Sequence, residues 1–233
     1  MISIIIPVYN HAKELVECLQ SLVDQTEKDF EVIVVDDGSR AAFSVERSAF
    51  SFPIEVIRFD QNCGAPVARN EGFRHSKGDL VIFLDADVDL EPQALEIMKQ
   101  TLGDHPEAAF AYSSFYFGWK LFRGRLFDTQ ALRQQNYIHT SSLMRRAAFP
   151  GFDESLKKFQ DWDLWLSIAE HGGRGVWIEE PLFRVKTGGR RSPISHWLPK
   201  AFYRIPWPIL GYTPPTIRSY REAEEIVKRK HQI

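Results

Sequence analysis

The sequence contains little cysteine and no long hydrophobic run. Its 233 residues include only two cysteines, Cys18 and Cys63, which is too few for a disulfide framework. No apolar run approaches the roughly 20 residues that span a bilayer, and residues 1–7 lack the charged start and long apolar region of a signal peptide. We therefore expect a globular protein of the reducing cytoplasm.

The sequence also lacks an overall excess of either charge, since its formal net charge is only -2. The charge is nevertheless uneven, because residues 184–233 carry 11 Lys or Arg against 3 Glu. A basic segment of this kind can serve an anionic ligand, an anionic membrane surface or nucleic acid. No nucleic-acid-binding motif accompanies it, so we expect no nucleic-acid partner.

Hydrophobic residues make up 44% of the chain and aromatic residues 13%, which is enough for a substantial core. Strands are predicted at 2–6, 30–35, 54–59 and 80–84, and helices at 11–25, 66–72 and 92–102. The apolar run at 80–84 is typical of a strand covered on both faces. Strands that alternate with helices predict a parallel, three-layer α/β sheet.

The pattern changes after residue 103. It predicts strands at 109–113, 137–144 and 175–178, a flap or irregular connection at 115–132, and a helix at 161–171. Seven of the 13 prolines lie between residues 181 and 215. Because proline interrupts regular structure, we expect an irregular tail until a final helix at 218–230.

Four residues carry local structural predictions. Asn10 suits the N-cap of the first helix, and Asp89 suits the start of the third, just before Pro92. Gly72 suits a helix that packs closely against a strand. Cys18 falls on the apolar face of the first helix, where we expect a buried free thiol.

Acidic side chains directly follow two of the predicted strands. Asp36 and Asp37 follow the second strand, and Asp85 and Asp87 follow the fourth. Ligands of open α/β sheets bind beyond the carboxyl ends of the strands, so these acids would meet in one crevice. Asp85, Asp87 and Asp89 lie within five residues of one another, and a divalent cation that also holds phosphate oxygens would relieve their repulsion. The alternative for these three is a solvated acidic turn that caps the helix starting near Pro92.

A third acidic cluster belongs to an ordered set of six motifs. The motifs are IIIPVYN at 4–10, VVDDGS at 34–39, the segment 62–72, FLDAD at 83–87, GFDE at 151–154 and QDWDLWL at 160–166. In this order they resemble the motifs of the family 2 glycosyltransferases with the GT-A fold. The resemblance covers roughly residues 1–190. Members of that family move a sugar from a nucleoside diphosphate to an acceptor hydroxyl.

The resemblance implies an α/β fold with a single GT-A type domain at residues 1–190. This domain would have three α/β/α layers around a mostly parallel central sheet. Residues 1–103 would form its nucleotide-sugar-binding half and residues 104–190 its acceptor-binding half. A basic, proline-rich C-terminal extension at 191–233 would pack on the domain.

The resemblance also implies roles for single residues. Asp161 matches the general base, and Asp87 matches the ligand of Mn²⁺ or Mg²⁺. The positions that match nucleotide-sugar contacts are Pro7, Tyr9, Asp37, Arg69, Asp85, Ala86 and Arg190. Among these, Tyr9 would stack on the nucleobase, Asp37 would accept the base N–H and Asp85 would lie near the ribose. Each of them has an ordinary structural alternative, such as a strand end, a core side chain, a turn cap or an ion pair.

The implied activity is inverting transfer of a sugar, with UDP as the commonest nucleotide, to a saccharide or lipid-linked acceptor. Such an enzyme would serve cell-surface polysaccharide or glycolipid synthesis in the cytoplasm or at the inner face of the membrane. The aromatic and basic segment 196–212 would then make peripheral membrane contact, pack over the domain or form a dimer contact. One departure from the family pattern is Gln160, which stands where many relatives have Glu.

Two rival functions use the same acids. A phosphoacceptor receiver domain also places an acidic pair after one strand and an Asp after another, but here a complete β-α unit precedes Asp36. A haloacid-dehalogenase-like phosphatase would use Asp85 and Asp87, but that family has its acidic pair after the first strand and not the fourth. We expect the transferase to prevail over both.

Overall fold

The computed structural model describes residues 1–41, 43, 45, 47–187 and 214–233, apart from the side chain of Arg47. These residues form one nine-stranded sheet with helices packed against it. The strands are β1 (Ile2–Val8), β2 (Phe30–Asp36), β3 (Ile54–Arg58), β4 (Leu80–Phe83), β5 (Val88–Leu90), β6 (Phe110–Phe117), β7 (Lys120–Phe122), β8 (Leu143–Arg145) and β9 (Gly175–Val185). The helices are α1 (Ala12–Val23), α2 (Ala65–His75), α3 (Ala94–Asp104), α4 (Thr129–Gln134), α5 (Gln160–Glu170) and α6 (Pro215–Lys230), with short 3-10 turns at Arg47–Ala49 and Arg146–Ala148.

The sheet is mostly parallel, as predicted. Its strand order is β3-β2-β1-β4-β8-β6-β9-β5, with β7 paired to the outer part of β6. The first four strands of this order are parallel to one another, and β6 is parallel to β9. The antiparallel strands are β5, β7 and β8. Each of the three has only three residues.

The sheet is covered on both faces, which confirms the predicted three layers. Alternate residues of a strand point to opposite faces, and β1 shows the consequence. Ile4 and Ile6 belong to a core shared with Leu19 of α1 and Met98 of α3. Ile5 points the other way, into a second core formed with α2, α5 and the last helix.

The order of the first four strands creates a crevice at the carboxyl end of β1. The chain first builds outwards from β1 through β2 to β3, and then returns to place β4 on the other side of β1. Such a reversal of strand order is where ligands bind in open α/β sheets. Asp36 is the last residue of β2, and Asp85 is separated from the end of β4 by Leu84 alone. Both acids therefore lie at the rim of this crevice.

Pro7 does not end the first strand, which continues to Val8. β4 pairs with β1 only as far as Phe83 opposite Ile5, after which the amide of Leu84 donates to the Ile5 carbonyl at 2.9 Å. Residues 5 and 7 of a strand turn their backbone groups to the same side. Pro7 therefore meets no ladder acceptor on the side where it lacks an N–H, and a central strand can accommodate it.

Gly72 permits the close contact between α2 and the sheet that the sequence predicted. A Cβ atom on Gly72 would lie 2.4 Å from Ile5 Cγ2 and 3.2 Å from Val35 Cγ2. α2 therefore packs against β1 and β2 at a distance that any side chain at this position would increase. This packing fixes the position of Arg69, one turn earlier on the same helix.

The predicted capping role of Asn10 is wrong. The N-cap of α1 is His11, and Asn10 has a left-handed backbone with φ of 59°. The side-chain oxygen of Asn10 instead accepts a hydrogen bond from the backbone amide of Arg40 at 3.0 Å. The backbone amide of Asn10 donates to Ser39 Oγ at 2.9 Å. The short amide side chain is used to join the loop after β1 to the loop after β2.

The predicted helix-start role of Asp89 is also wrong. Asp89 lies in β5, where it pairs opposite Arg184 of β9, and α3 begins only at Ala94. Its carboxylate is 2.8 Å from Lys186 Nζ, and the amide of Lys186 donates to the carbonyl of Asp87 at 2.8 Å. Pairing with a distant strand outweighed the local preference of Asp for a helix start.

The second half of the chain departs further from the predicted elements. The strand predicted at 137–144 is confined to Leu143–Arg145, and the last short strand extends to the eleven residues Gly175–Val185. The region 115–132 contains the end of β6, all of β7 and the start of α4 instead of an irregular flap. Within the described residues no helix is both long and apolar enough to cross a membrane.

The last helix, α6, packs beside α5. Val227 is fully buried and belongs to the same core as Trp162 and Leu166, and Ile233 packs against that core. Tyr220 meets Phe159 edge to face, with ring centroids 4.8 Å apart. The domain boundary predicted near residue 190 lies outside the described residues and stays a prediction.

Candidate active site

Asp85 lies at the rim of the crevice and pairs with Arg69. Arg69 Nη2 donates to Asp85 Oδ1 at 2.7 Å, and the Asp85 side chain is 17% exposed. Burial alone would raise the pKa of Asp85, but the charge of Arg69 holds it below its ordinary value. Asp85 is therefore a carboxylate at neutral pH, available to accept hydrogen bonds from a ligand on its free oxygen.

Asp87 has a less favourable environment for its charge. Burial, followed by the neighbouring charge of Asp85, raises the pKa of Asp87 to about 6. No side chain among the described residues donates a hydrogen bond to its carboxylate. A buried acid beside a second acid suits a bound cation, and oxygen ligands suit Mg²⁺ or Mn²⁺.

The protein supplies few ligands for such a cation. Within residues 1–187 and 214–233, as far as they are described, no three His, Cys, Asp or Glu side chains converge in the manner of a complete metal site. Mg²⁺ commonly binds through one or two carboxylates together with substrate phosphates. The acids present fit that mode of binding and not a cage formed by the protein alone.

Asp36 and Asp37 both bind their own chain. Asp36 accepts from the amide of Ser39 at 2.9 Å and from Arg58 Nη1 at 2.8 Å, so the alternative reading of it as a turn cap is confirmed. Asp37 is 3% exposed and accepts from Asn62 Nδ2 at 2.7 Å, with the amides of Cys63 and Gly64 as further donors at 2.7 and 2.9 Å. A carboxylate has about four acceptor positions, so about one is left for a ligand.

Three other predicted contacts surround this part of the crevice. The ring of Tyr9 is 38% exposed, which leaves a face for stacking, and Pro7 is half-buried beside it. Ala86 is 6% exposed with its methyl group in the core, so only its backbone can face a ligand. Arg190 lies outside the described residues.

Arg69 joins the carboxyl end of β4 to the start of α5. While Nη2 binds Asp85, Nη1 donates to Gln160 Oε1 at 2.8 Å, and the guanidinium carbon lies 5.2 Å from the ring centroid of Phe152. The Arg69 side chain is only 7% exposed. The planar guanidinium of Arg69 thus connects Asp85 to Gln160, the first residue of α5.

Asp161 follows Gln160 in the first turn of α5. Its Oδ2 accepts from Asn136 Nδ2 at 2.7 Å, and its Oδ1 accepts from the amide of Trp162 at 2.9 Å. Burial raises the pKa of Asp161, although the hydrogen bonds and the charge of Arg69 oppose the shift. A buried carboxylate with raised proton affinity is suited to take a proton from a substrate hydroxyl.

Two residues of the site, His139 and Asn136, were missed by the sequence analysis. The His139 ring packs against Phe115 and Phe183, with centroids 5.0 Å from each and ring planes tilted by 52° and 49°, and burial lowers its pKa to about 4. Its Nδ1 accepts from the amide of Ser141 at 3.1 Å, so the neutral ring carries its proton on Nε2. Asn136 falls in no predicted element or motif, and His139 falls in the strand predicted at 137–144, where nothing in the sequence marked it as a site residue.

The structure therefore brings most of the predicted residues together. The charge of Arg69 lowers the pKa of both Asp85 and Asp161, and the charge of Asp85 raises that of Asp161. Asp87 lies beside Asp85. Asp37 and Tyr9 lie after the neighbouring strands β2 and β1. Asp163, which also lies in the first turn of α5, faces away from this site and binds Lys230 and His231 at the end of the last helix.

Comparison with known proteins is consistent with this arrangement. Residues 3–158 match the family described as Glycosyl transferase family 2. A Haemophilus influenzae protein described as an uncharacterized glycosyltransferase is 32% identical over 210 residues, which cover 84% of this chain and 71% of that protein. A Rickettsia conorii protein with the same description is 29% identical over 81% of this chain, which spans only 33% of that longer protein.

Solved structures show the same fold. Staphylococcus aureus TarS 1-349 in complex with UDP-GlcNAc has a TM-score of 0.72 at 19% identity, with 100% of this chain and 73% of that chain covered. The mannosyltransferase PcManGT from Pyrobaculum calidifontis, in complex with GDP-Man and Mn²⁺, has a TM-score of 0.62 at 16% identity over 99% and 72% of the two chains. With the family match and the Haemophilus relative, these likenesses establish that the chain belongs to glycosyltransferase family 2.

Proposed function

We propose that this protein is a metal-dependent, inverting glycosyltransferase of the hexosyltransferase type that uses a UDP-sugar donor. The observation that carries the proposal is the bridge from Asp85 through Arg69 to Gln160. It joins Asp85, the acid that would lie nearest the nucleotide sugar, to the helix that bears Asp161. The solved complexes with UDP-GlcNAc and with GDP-Man and Mn²⁺ support the choice of donor class.

The donor would bind along the carboxyl ends of β1, β2 and β4. Tyr9 would stack on the nucleobase with Pro7 beside it, and the remaining acceptor position of Asp37 would take the base N–H. Asp85 would accept a ribose hydroxyl on the oxygen that Arg69 does not occupy. Arg190 would bind the diphosphate, since a guanidinium recognises phosphate oxygens well.

Asp87 would hold Mn²⁺ or Mg²⁺ together with the phosphate oxygens of the donor. Such a cation, when bound, stabilises the negative charge that develops on the departing diphosphate. The raised pKa of Asp87 reflects its burial and the neighbouring charge of Asp85 and is consistent with this use. The backbone of Asp87 is fixed from the other side by Lys186, as described above.

Asp161 would act as the general base. As the acceptor oxygen attacks the anomeric carbon, its proton passes to the Asp161 carboxylate and the bond from that carbon to the diphosphate oxygen breaks. The nucleoside diphosphate leaves from the opposite face, so a single displacement inverts the anomeric configuration. Asn136 holds the carboxylate in place during the step through its hydrogen bond to Oδ2.

Gln160 makes this site less negative than one with Glu. Its carbonyl oxygen accepts from Arg69 without adding a charge, so Arg69 remains the charge partner of Asp85 alone. A carboxylate at the same position would compete for Arg69 and repel Asp161. The substitution therefore alters the charge around the base and keeps the base itself.

The wider role we propose is synthesis of cell-surface polysaccharide or glycolipid on the cytoplasmic side of the membrane. The acceptor would be a saccharide or a lipid-linked saccharide, and the basic segment 196–212, which lies outside the described residues, would provide peripheral membrane contact. The receiver and phosphatase alternatives lose their basis, because the chain belongs to a family of glycosyltransferases.

Ligand-induced thermal stabilisation tests the proposal. We expect UDP to raise the melting temperature in the presence of Mn²⁺ and to have a smaller effect without it, with GDP and dTDP as comparisons. A screen of UDP-sugars for hydrolysis or transfer then identifies the donor. Asp161→Asn should abolish transfer and keep nucleotide binding. A protein that responds to no nucleotide, with or without metal, would contradict the proposed function.

A further inference from the structure

Two charged residues that follow one another, Lys230 and His231, bind the helix that carries Asp161. His231 is 4% exposed and its partner Asp163 is 2% exposed. Burying an ion is costly unless it is paired and hydrogen-bonded. The proposed chemistry uses neither His231 nor Asp163, so the burial of this charged pair needs another explanation.

His231 binds two carboxylates of α5, one from each ring nitrogen. Nε2 lies 2.8 Å from Asp163 Oδ1 and Nδ1 lies 2.9 Å from Glu170 Oε1. A histidine donates from both nitrogens only as the imidazolium cation. Burial would lower the pKa of His231, but Asp163 and Glu170 raise it above its ordinary value. His231 is therefore positively charged. Its two partners lie in the first and last turns of α5.

Lys230 extends the same contact to the segment before α5. Its Nζ lies 2.8 Å from Asp163 Oδ1 and 2.8 Å from Asp153 Oδ2. The hydrogen bonds from Lys230 and Ser155 lower the pKa of Asp153 to about 2. Lys230 thus joins the segment before α5, at Asp153, to the first turn of α5, at Asp163.

This segment is in turn fixed to α2. Asn70 Nδ2 donates to the carbonyl of Phe152 at 2.9 Å, and the amide of Phe152 donates back to Asn70 Oδ1 at 2.8 Å. Asn70 is the neighbour of Arg69. The contacts of Lys230 and His231 therefore hold α5 against the same helix that supplies the Arg69 bridge.

The start of α5 has a backbone that needs such support. Phe159, the residue before the helix, has a left-handed backbone with φ of 60°, which is strained for an aromatic residue. Tyr220 packs against its ring, and Lys158 Nζ donates to Ser219 Oγ at 3.0 Å. α6 therefore contacts the residues before α5 as well as those within it.

Asp161 and Asp163 project in different directions from α5. Residues of an α-helix are separated by about 100°, so positions two apart differ by about 200°. Asp161 accordingly meets Asn136 at the crevice while Asp163 meets α6. A shift of Asp163 towards or away from α6 would move Asp161 in the crevice.

We propose that Asp163, Lys230 and His231 form a charged clasp that positions Asp161, so that α6 is a working part of the active site. Asp163 and His231 are positioning residues that act through α5 and touch no substrate. The inference rests on the proposed function, because it assigns the position of the general base. It goes further, because it makes the rate of transfer depend on α6, a helix that contacts α5 and touches no substrate.

The variants His231→Gln and Asp163→Asn test the clasp. We expect kcat to fall by about tenfold or more with the Kd for UDP unchanged, since a misplacement of about 1 Å can cost about 10²-fold. His231→Arg, which keeps the charge and several donors, should restore part of kcat. His105→Gln is the matched control, because His105 is exposed and its partner Glu107 is two residues away.

The pH profile gives a readout that a merely structural role would not move. The charged groups around His231 are Asp163 and Glu170 of α5, Lys230 beside it, and Arg133, which donates to the carbonyl of Gln232 at 3.0 Å. Because the folded pKa of His231 is raised, its contribution is complete below pH 6.5 and is lost as pH rises through the folded value. We expect kcat to decline over that range in the native protein and not in His231→Arg.

Hydrogen exchange separates the clasp from the proposed function. Amides 159–163 should exchange faster in His231→Gln than in the native protein, and this measurement needs no activity. Unchanged exchange there, or a native kcat in folded His231→Gln, would overturn the clasp even if the protein transfers sugar. If the native protein transfers no sugar, the proposed function fails while the exchange experiment still decides whether α6 holds α5.

Discussion

Asn136 donates a hydrogen bond from Nδ2 to Asp161 Oδ2 at 2.7 Å, although the two residues lie in different parts of the fold. Asn136 follows α4, and its other contacts are with the backbone of Ile138. The amide is therefore held by the backbone of Ile138, whose carbonyl also accepts from Trp165 Nε1 of α5 at 3.1 Å. This pair supplies the carboxylate with a donor that stabilises its charged form.

Replacing Asn136 with alanine should move the acid limb of the kcat/KM profile to higher pH. A hydrogen bond to a charged group contributes about 1.5–3 kcal/mol, and one pKa unit corresponds to about 1.4 kcal/mol. We expect a shift of about one unit or more, because the base must be deprotonated to act and its pKa would rise. The control is Gln134→Ala at the exposed end of α4. An unmoved acid limb would show that Asn136 does not support the base.

Gln160→Glu should shift the same acid limb upwards by a smaller amount. The new carboxylate would meet Arg69 Nη1, which now donates to Gln160 at 2.8 Å, and so remove part of the positive charge that lowers the pKa of Asp161. It would also weaken the partnership of Arg69 with Asp85. A pH profile of kcat/KM together with the Kd for UDP measures both effects, and a downward shift would contradict the charge argument.

Gly72→Ala should destabilise the fold, whereas Gly103→Ala should not. The new methyl carbon at position 72 would lie 2.4 Å from Ile5 Cγ2, and overpacking a core costs about 1–3 kcal/mol. Gly103 lies in α3 with no atom within 4 Å of its Cβ position, so alanine there is expected to gain about 0.5–1 kcal/mol. Urea denaturation of both variants decides. Equal stabilities would mean that α2 does not pack as closely as described.

The two cysteines should differ sharply in reactivity. Cys18 is fully buried, and burial raises the pKa of its thiol above the ordinary value, while Cys63 is exposed. A thiol-specific chromogenic reagent should therefore label one cysteine per chain quickly and the second only on unfolding. Because the amide of Cys63 binds Asp37, UDP should slow the fast reaction. Rapid labelling of two thiols in the native protein would contradict the buried position of Cys18.

The strands β1, β2 and β4 were predictable because they are covered on both faces. Such strands are continuous apolar runs, as Ile33 and its neighbours show, and they cannot be confused with half-exposed strands. β5 could not be predicted. It has only three residues, and Asp89 at its centre favours a helix start, but pairing with β9 nearly a hundred residues later decided the conformation.

The later strands and the site contacts depended on similar long-range effects. The run that became β9 is interrupted by Glu179, Glu180 and Pro181, where the register with β6 shifts between Ser113 and Ser114. Motif resemblance indicated Asp85 and Asp161 individually. The bond from Arg69 to Gln160 joins residues 91 positions apart, and no local pattern specifies such a contact.

The attachment of Lys186 to the turn after β4 couples the end of β9 to Asp87. Lys186 directly follows β9, its amide binds the carbonyl of Asp87, and its Nζ lies 2.7 Å from Glu17 and 2.8 Å from Asp89. A displacement at the end of β9 would therefore be passed directly to Asp87, so the proposed cation ligand is held in place by a strand from the other half of the chain.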